Sequence, residues 1–230
     1  MPGFFKLAFA LSLAANAAIG GFILYKLLSR TPPRPATYPA HRDSLFAELP
    51  VKRSSVVMVG DSLTDWAEWA ELLQNPGVIN RAVSGATSAD AVRRIGSIVS
   101  ARPAFIVLMI GFNDLDRGSA VEPVIANYRE IFDMMSGPGW HTELIVQSVL
   151  PANHTLYPGP AKNRDIRQLN RRIAQLCRAP QCVFLNLHDS FSDADGSLDS
   201  RYTYDGVHLN GRGYRIWRDA LQPLVGAGQR

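Results

Sequence analysis

The sequence predicts an α/β protein whose parallel sheet is covered by helices on both faces, preceded by an N-terminal transmembrane helix. Three observations carry that prediction. From Ser54 onward, short apolar runs alternate with longer segments of helical periodicity. The apolar runs are brief, rich in Val and Ile, and several end in Gly or Asn, as buried strands do. Residues 7–25, LAFALSLAANAAIGGFILY, are nineteen consecutive positions without a charge.

A helix over residues 7–25 would be about 28 Å long, close to the hydrocarbon thickness of a bilayer. Ala15-Asn16-Ala17 could serve instead as the cleavage site of a signal peptide. Apolar character resumes beyond it at Ile23, Leu24, Leu27 and Leu28, so residues 1–30 read as an uncleaved anchor in the lipid bilayer rather than a segment lost on secretion. Lys6 precedes the span while Lys26, Arg30, Arg34 and Arg42 follow it, a bias that by charge counting would keep the domain in the cytoplasm. The cysteine pair described below, and the common use of such anchors for export, favour the outer side, periplasmic or extracellular. Residues 31–40 contain four prolines and read as a semi-rigid spacer. The domain is assigned to 41–230.

Composition narrows the partners. The chain has 230 residues, 47 % of them hydrophobic and 19 % charged, enough to build a core without metal or disulfide support. Its formal charge of +4 is misleading, because residues 1–30 hold three basic groups and no acid. The remainder is nearly neutral, which gives no reason to expect nucleic acid as a partner.

The elements follow in order. Leu45, Phe46 and Leu49 fall at helical spacing and Pro50 ends that helix, which is expected to pack just before the first strand. Strand one covers 55–59. A helix near 65–74 carries Trp66, Trp69, Leu72 and Leu73 on one face, with both tryptophans expected in the core. Val78–Asn80 is a short second strand, and Ser88 is expected to cap a helix bearing Ala91, Val92, Ile95, Ile98 and Val99. Ala104–Ile110 is the most strand-like run and should be central. A long helix over 119–136 precedes strand four at 144–149. A helix over 163–177 leads to strand five at 183–187, and 210–225 forms the closing helix. Cys177 and Cys182 join that helix to strand five. They are either a buried free pair or a disulfide across the turn at Pro180; a bridge would close a short loop and contribute modestly. It would also imply an oxidising compartment.

Four chemical features fall after successive strands. Gly60-Asp61-Ser62 ends strand one, Ser84-Gly85 lies in the loop after strand two, and Gly111-Phe112-Asn113-Asp114 follows strand three. Asp205-Gly206-Val207-His208 precedes the last helix. Ligands of open parallel sheets bind at the carboxyl ends of the strands, which is where these residues would gather. Singly, each has an ordinary explanation. Ser62 could cap a helix, Asn113-Asp114 could form an Asx turn, and Asp205-Gly206 could be a turn before a helix capped by Asn210.

Together they resemble the four sequence blocks of the SGNH hydrolases, the GDSL esterase/lipase family, over a stretch from about Leu45 to the end of the last helix. The second block departs in having Ala82 and Ala86 where Gly and Asp are frequent, neither a position with a catalytic role in that family. The resemblance implies a three-layer α/β/α, flavodoxin-like sandwich with strand order 2-1-3-4-5. It implies Ser62 as nucleophile, with an oxyanion hole formed by the Ser62 and Gly85 N–H groups and the Asn113 amide, and no cofactor or metal. The chemistry agrees. A serine hydroxyl needs a neighbouring base. His208 is suited to that work, since a free imidazole titrates near 6.5 and is mostly neutral at neutral pH. Asp205, three residues earlier, would hold its second ring nitrogen.

Three readings of function follow. The first is a serine esterase acting on a small-molecule or glycan ester, an O-acetyl or other short-chain ester, through an acyl-Ser62 intermediate; the closing Tyr204–Asn210 pattern looks most like the acetylhydrolase and acetylesterase branch. The second keeps the site but takes longer acyl chains, as a lysophospholipase or thioesterase. The third is a non-catalytic envelope binding protein with the same fold. Asp61 and Asp114 are assigned to holding loops, and loops 111–120 and 151–163 to walling the pocket. His41, His141, His154 and His188 are expected to be surface or structural. Asn153-His154-Thr155 matches a glycosylation sequon.

Overall fold

The computed structural model describes residues 37–136, 139–178 and 182–226. Contacts divide the chain into Met1–His41 and Arg42–Arg230, and the fold described is that of the second unit. The expected span at 7–25 and most of the proline-rich segment lie outside the described residues. Among the described residues no helix is long and apolar enough to cross a membrane.

Five strands form one parallel sheet: β1 (Val56–Gly60), β2 (Val78–Asn80), β3 (Phe105–Met109), β4 (Glu143–Gln147) and β5 (Cys182–Leu185). Their order is β2-β1-β3-β4-β5, as the resemblance implied. Register is fixed by pairs such as Val56 opposite Val78 on one side and opposite Phe105 on the other. β1 and β3 are buried along their whole length, which is why they read as continuous apolar runs rather than alternating ones.

Side-chain alternation along these strands splits the core into two layers. Val57, Val59, Ile106, Leu108 and Val146 face α4 (Ser88–Ala101), α6 (Val121–Met134) and α7 (Asn163–Leu176), reached after α1 (Tyr38–Glu48), α2 (Ser62–Asp65), α3 (Trp69–Leu72) and α5 (Phe112–Asp116). Val56, Met58, Val107, Met109 and Ile145 face Trp69, Phe191 of α8 (His188–Phe191), and α9 (Gly211–Gly226) with Trp217 and Leu221. Trp69 and Trp217 meet edge to face with centroids 4.9 Å apart, and the Trp69 ring N–H donates to the Thr64 carbonyl at 2.7 Å.

Three local expectations are corrected. The segment 65–74 is two single turns, α2 and α3, because the Asn80 amide donates to the carbonyls of Thr64, Asp65 and Ala67 and takes the place of helical N–H donors there. Thr87, not Ser88, caps α4: its side chain accepts from the Asp90 N–H, and the Asp90 carboxylate accepts from the Thr87 N–H, a capping box. In α1 no residue is buried. Leu45 and Leu49 are exposed, and only Phe46 packs against the core, flanked by the guanidinium groups of Arg42 and Arg81 at 4.6 and 4.9 Å from its ring centroid. Cys177 and Cys182 are joined by a disulfide with Cα atoms 5.4 Å apart.

Trp69 is the side chain that ties α3 to α9, so Trp69→Ala should cost about 3–5 kcal/mol of unfolding free energy, measured by urea denaturation. A loss under about 1 kcal/mol would show that the site collapses without a cavity.

Candidate active site

Ser62 is placed by the abrupt end of β1. A Cβ at Gly60 would run into Thr64 Oγ1 and lie 2.6 Å from the Met109 carbonyl, so only glycine lets β1 turn there. Asp61 caps the helix that follows. Its side chain accepts from the Leu63 N–H, and its carbonyl from the Thr64 and Asp65 N–H groups. The Ser62 N–H is thereby left over, and it donates to nothing among the described residues. Asp61 is only 2 % exposed. Burial pushes its carboxyl up to about 7, against the lowering bond from Leu63, with the Asp114 charge adding to the rise.

His208 and Asp205 come from one loop, closed by a bridge between Thr203 and Leu209. The His208 Nε2 lies 2.9 Å from Ser62 Oγ, and its Nδ1 lies 2.6 Å from Asp205 Oδ2. The other Asp205 oxygen accepts from the backbone N–H groups of Val207 and His208, at 2.9 and 2.8 Å. Burial acts to raise the Asp205 carboxyl, but these bonds and the His208 ring outweigh it and hold it below the ordinary range. A carboxylate at Nδ1 fixes the proton on that nitrogen and turns the Nε2 lone pair toward the serine. Gly206, at φ +88°, makes the tight turn between the two side chains. A Cβ there would lie 2.7 Å from the Asn153 carbonyl, and the Asn153 N–H donates to the Gly206 carbonyl at 2.8 Å.

Gly85 and Asn113 lie in neighbouring loops. Gly85 adopts φ +77°; its carbonyl accepts from Arg117 at 2.7 Å, and its N–H has no acceptor among the described residues. The Asn113 amide donates once, to the Ala86 carbonyl at 2.9 Å, which orients the side chain and leaves its second hydrogen free among the described residues. Asp114 turns inward to the start of α4, accepting from the Ser88 N–H at 2.8 Å and the Ser88 hydroxyl at 2.6 Å. Burial raises its carboxyl, partly offset by those two bonds. Asp61 and Asp114 therefore hold loops, as expected.

The two expected wall loops meet where the Tyr157 hydroxyl donates to Asp116 at 2.7 Å, a bond that also pushes the Tyr157 phenol up to about 12. Asn153 is largely buried, and its amide is committed to the Leu198 carbonyl and the Thr155 and Leu156 N–H groups, so the sequon is unavailable in the folded domain. His188 is buried with Nδ1 facing Asp189, while His141 and His154 are exposed.

Trp66 is the principal correction. It is 56 % exposed rather than in the core, and its ring stacks on the His208 imidazole with centroids 4.0 Å apart and planes 17° apart. Its ring N–H donates to Ser84 Oγ at 3.0 Å, and Ser84 donates through both its N–H and its hydroxyl to Asp65. Helical periodicity cannot reveal this contact, because the partner lies 142 residues away in sequence.

A serine hydroxyl, an imidazole and a carboxylate in hydrogen-bonded series can move a proton off the hydroxyl as it attacks an acyl carbon. Unengaged N–H donors, such as that of Ser62, can receive a developing oxyanion where they lie within reach of the acyl carbon.

Comparison with known proteins agrees with this chemistry. The model of the GDSL-like lipase/acylhydrolase family matches residues 58–216. Subunit alpha1 of platelet-activating factor acetylhydrolase IB from Bos taurus is 27 % identical over 185 residues, covering 76 % of each chain. Among solved structures, a GDSL-like lipase from Bacteroides thetaiotaomicron superposes with a TM-score of 0.71 at 24 % identity, covering 84 % of this chain and 98 % of that one. An acetylxylan esterase from Geobacillus stearothermophilus gives 0.61 at 19 % identity, covering 77 % and 96 %. At those identities the two structures speak for the fold.

The buried Asp61 carboxyl yields a pH prediction. Its folded pKa, about 7, lies above the unfolded value of 3.8, so the folded state binds its proton more tightly. The resulting stability is present below about pH 4 and is lost as pH rises through 7. Asp61→Asn keeps the cap without the charge, and should flatten the fall in melting temperature between pH 4 and pH 7 relative to the parent protein. Parallel curves for the two proteins would show that Asp61 does not carry it.

Proposed function

The chain belongs to the GDSL-like lipase/acylhydrolase family and is an ester-cleaving hydrolase; from that premise we propose that it removes short acyl groups, O-acetyl above all, through an acyl-Ser62 intermediate. The observation that supports this most is the hydrogen-bonded run from Asp205 through His208 to Ser62 Oγ. In the proposed reaction Ser62 Oγ attacks the ester carbonyl carbon while its proton passes to His208 Nε2. The carbonyl oxygen becomes an oxyanion, received by the N–H groups of Ser62 and Gly85 and by the Asn113 amide. The intermediate collapses by breaking the ester C–O bond, and the leaving alkoxide takes the proton from His208. Water then repeats the sequence on the acyl-serine and releases the carboxylic acid. Asp205 keeps the imidazole in the tautomer both half-reactions need and stabilises the imidazolium between them.

The preference for acetyl rests on the relatives. The bovine protein is named an acetylhydrolase and aligns over three quarters of both chains, and the Geobacillus structure is that of an acetylxylan esterase. We place the domain on the outer side of a membrane, anchored through residues 7–25, and the support for that side is the Cys177–Cys182 disulfide.

Ser62→Ala and His208→Ala should each abolish turnover of p-nitrophenyl acetate and labelling by a fluorophosphonate probe, with the melting temperature retained. Survival of either activity in Ser62→Ala would remove the nucleophile assignment. Asn113→Ala should lower kcat by about 10²–10³. A chain-length series of p-nitrophenyl esters should peak at or near acetyl. A strong preference beyond about eight carbons would instead select the lysophospholipase or thioesterase reading. Thiol alkylation of intact cells should modify Cys177 and Cys182 only after reduction; modification without a reductant would contradict the outer location.

A further inference from the structure

Resting on the Ser62–His208–Asp205 reading above, we propose that Trp66 is a positioning residue of the reaction, which orients the His208 imidazole and stabilises the imidazolium that forms when Ser62 attacks. Three features lead there. The Trp66 and His208 rings are nearly parallel, 17° apart with centroids at 4.0 Å, so the face of the indole lies against the ring that gains positive charge. An aromatic face carries negative quadrupole density and attracts a cation set against it. The gain is therefore larger in the charged transition state than in the neutral ground state, which is the condition for raising kcat.

The second feature is how the indole is held. Trp66 donates to Ser84 Oγ at 3.0 Å, and Ser84 donates to Asp65 Oδ2 through its hydroxyl at 2.6 Å and its N–H at 2.9 Å. Arg42 lies 3.4 Å from the other Asp65 oxygen and also donates to the carbonyls of Asn80 and Ala82. Ser84 is the residue before Gly85, so one network sets both the imidazole platform and the loop of a proposed oxyanion donor. Asp205 bonds His208 within its own loop, and Asp65 with Arg42 anchors the residue that holds the indole.

The third feature is exposure. Trp66 is 56 % exposed, and burying apolar area does not account for a large aromatic in that position. Its truncation opens no core cavity, so a loss of activity can be separated from a loss of fold.

The test is steady-state kinetics on p-nitrophenyl acetate with the full chain and the variants Trp66→Ala, Trp66→Phe and Ser84→Ala, alongside melting temperatures and fluorophosphonate labelling rates. Trp66→Ala should lower kcat about tenfold with KM changed less than about twofold, and the labelling rate should fall in step. Trp66→Phe restores an aromatic face without the Ser84 bond and should recover much of the loss. Ser84→Ala keeps the indole but frees it, and should fall between. Parental kcat in Trp66→Ala overturns the proposal and leaves Ser62 and His208 untouched. A loss confined to KM also overturns it, since that reports substrate contact. If the parent chain neither turns over ester nor labels, the catalytic reading and this inference fall together.

Discussion

All five strands run parallel, so their carboxyl ends share one edge, and each functional residue has to reach that edge by leaving a strand or returning to it. Ser62 leaves β1 directly, Gly85 lies beyond β2, and Asn113 follows β3. His208 and Asp205 arrive last, on a loop that precedes α9. The sheet thereby turns the 146-residue separation of Ser62 and His208 into a contact of 2.9 Å. Because β1 has β2 on one side and β3 on the other, the proposed nucleophile lies between the two loops offering the other proposed oxyanion donors.

The loops at that edge are anchored by polar side chains and backbone bonds. Asp61 takes N–H groups of the helix it caps, and Asp114 takes both donors of Ser88. The Asn113 amide is pinned to Ala86, and Asn153 ties the loop after β4 to the turn at Gly206. The first three are side-chain bonds to backbone or hydroxyl groups and the last is a backbone bond, and together they satisfy polar groups that the packed loops take out of water. Burial opposes the charge on Asp61 and Asp114, a cost the domain bears at the positions that fix its loops.

Trp66 shows how an active site can extend beyond its reacting groups. The indole lies against one face of the imidazole, and Ser84 and Asp65 hold it there. Arg42 extends the network to α1. Arg42 of α1 is therefore linked through Asp65 and Ser84 to the residue resting on His208.

By itself the sequence determined the layer architecture, because strands buried on both faces must be continuously apolar and the covering helices must repeat near 3.6 residues. It also offered Ser62, Asp205 and His208 as candidates, because their blocks together resemble those of a known esterase family and the chemistry implied there needs a hydroxyl, a base and a carboxylate. Strand order came only with resemblance to a family, since alternation is compatible with several orders. Tertiary structure decided the rest. Trp66 and Trp69 share one helical pattern, yet one stacks on His208 in solvent and the other packs in the core, because Asn80 intercepts the carbonyls of α2 and breaks the helix between them. The cap of α4 is Thr87 through its capping box with Asp90, while Ser88 gives both its donors to Asp114. The disulfide required knowing that the end of α7 and the start of β5 approach to 5.4 Å. Trp66 owes its place to a partner 142 residues away, and periodicity carries no information about distant partners.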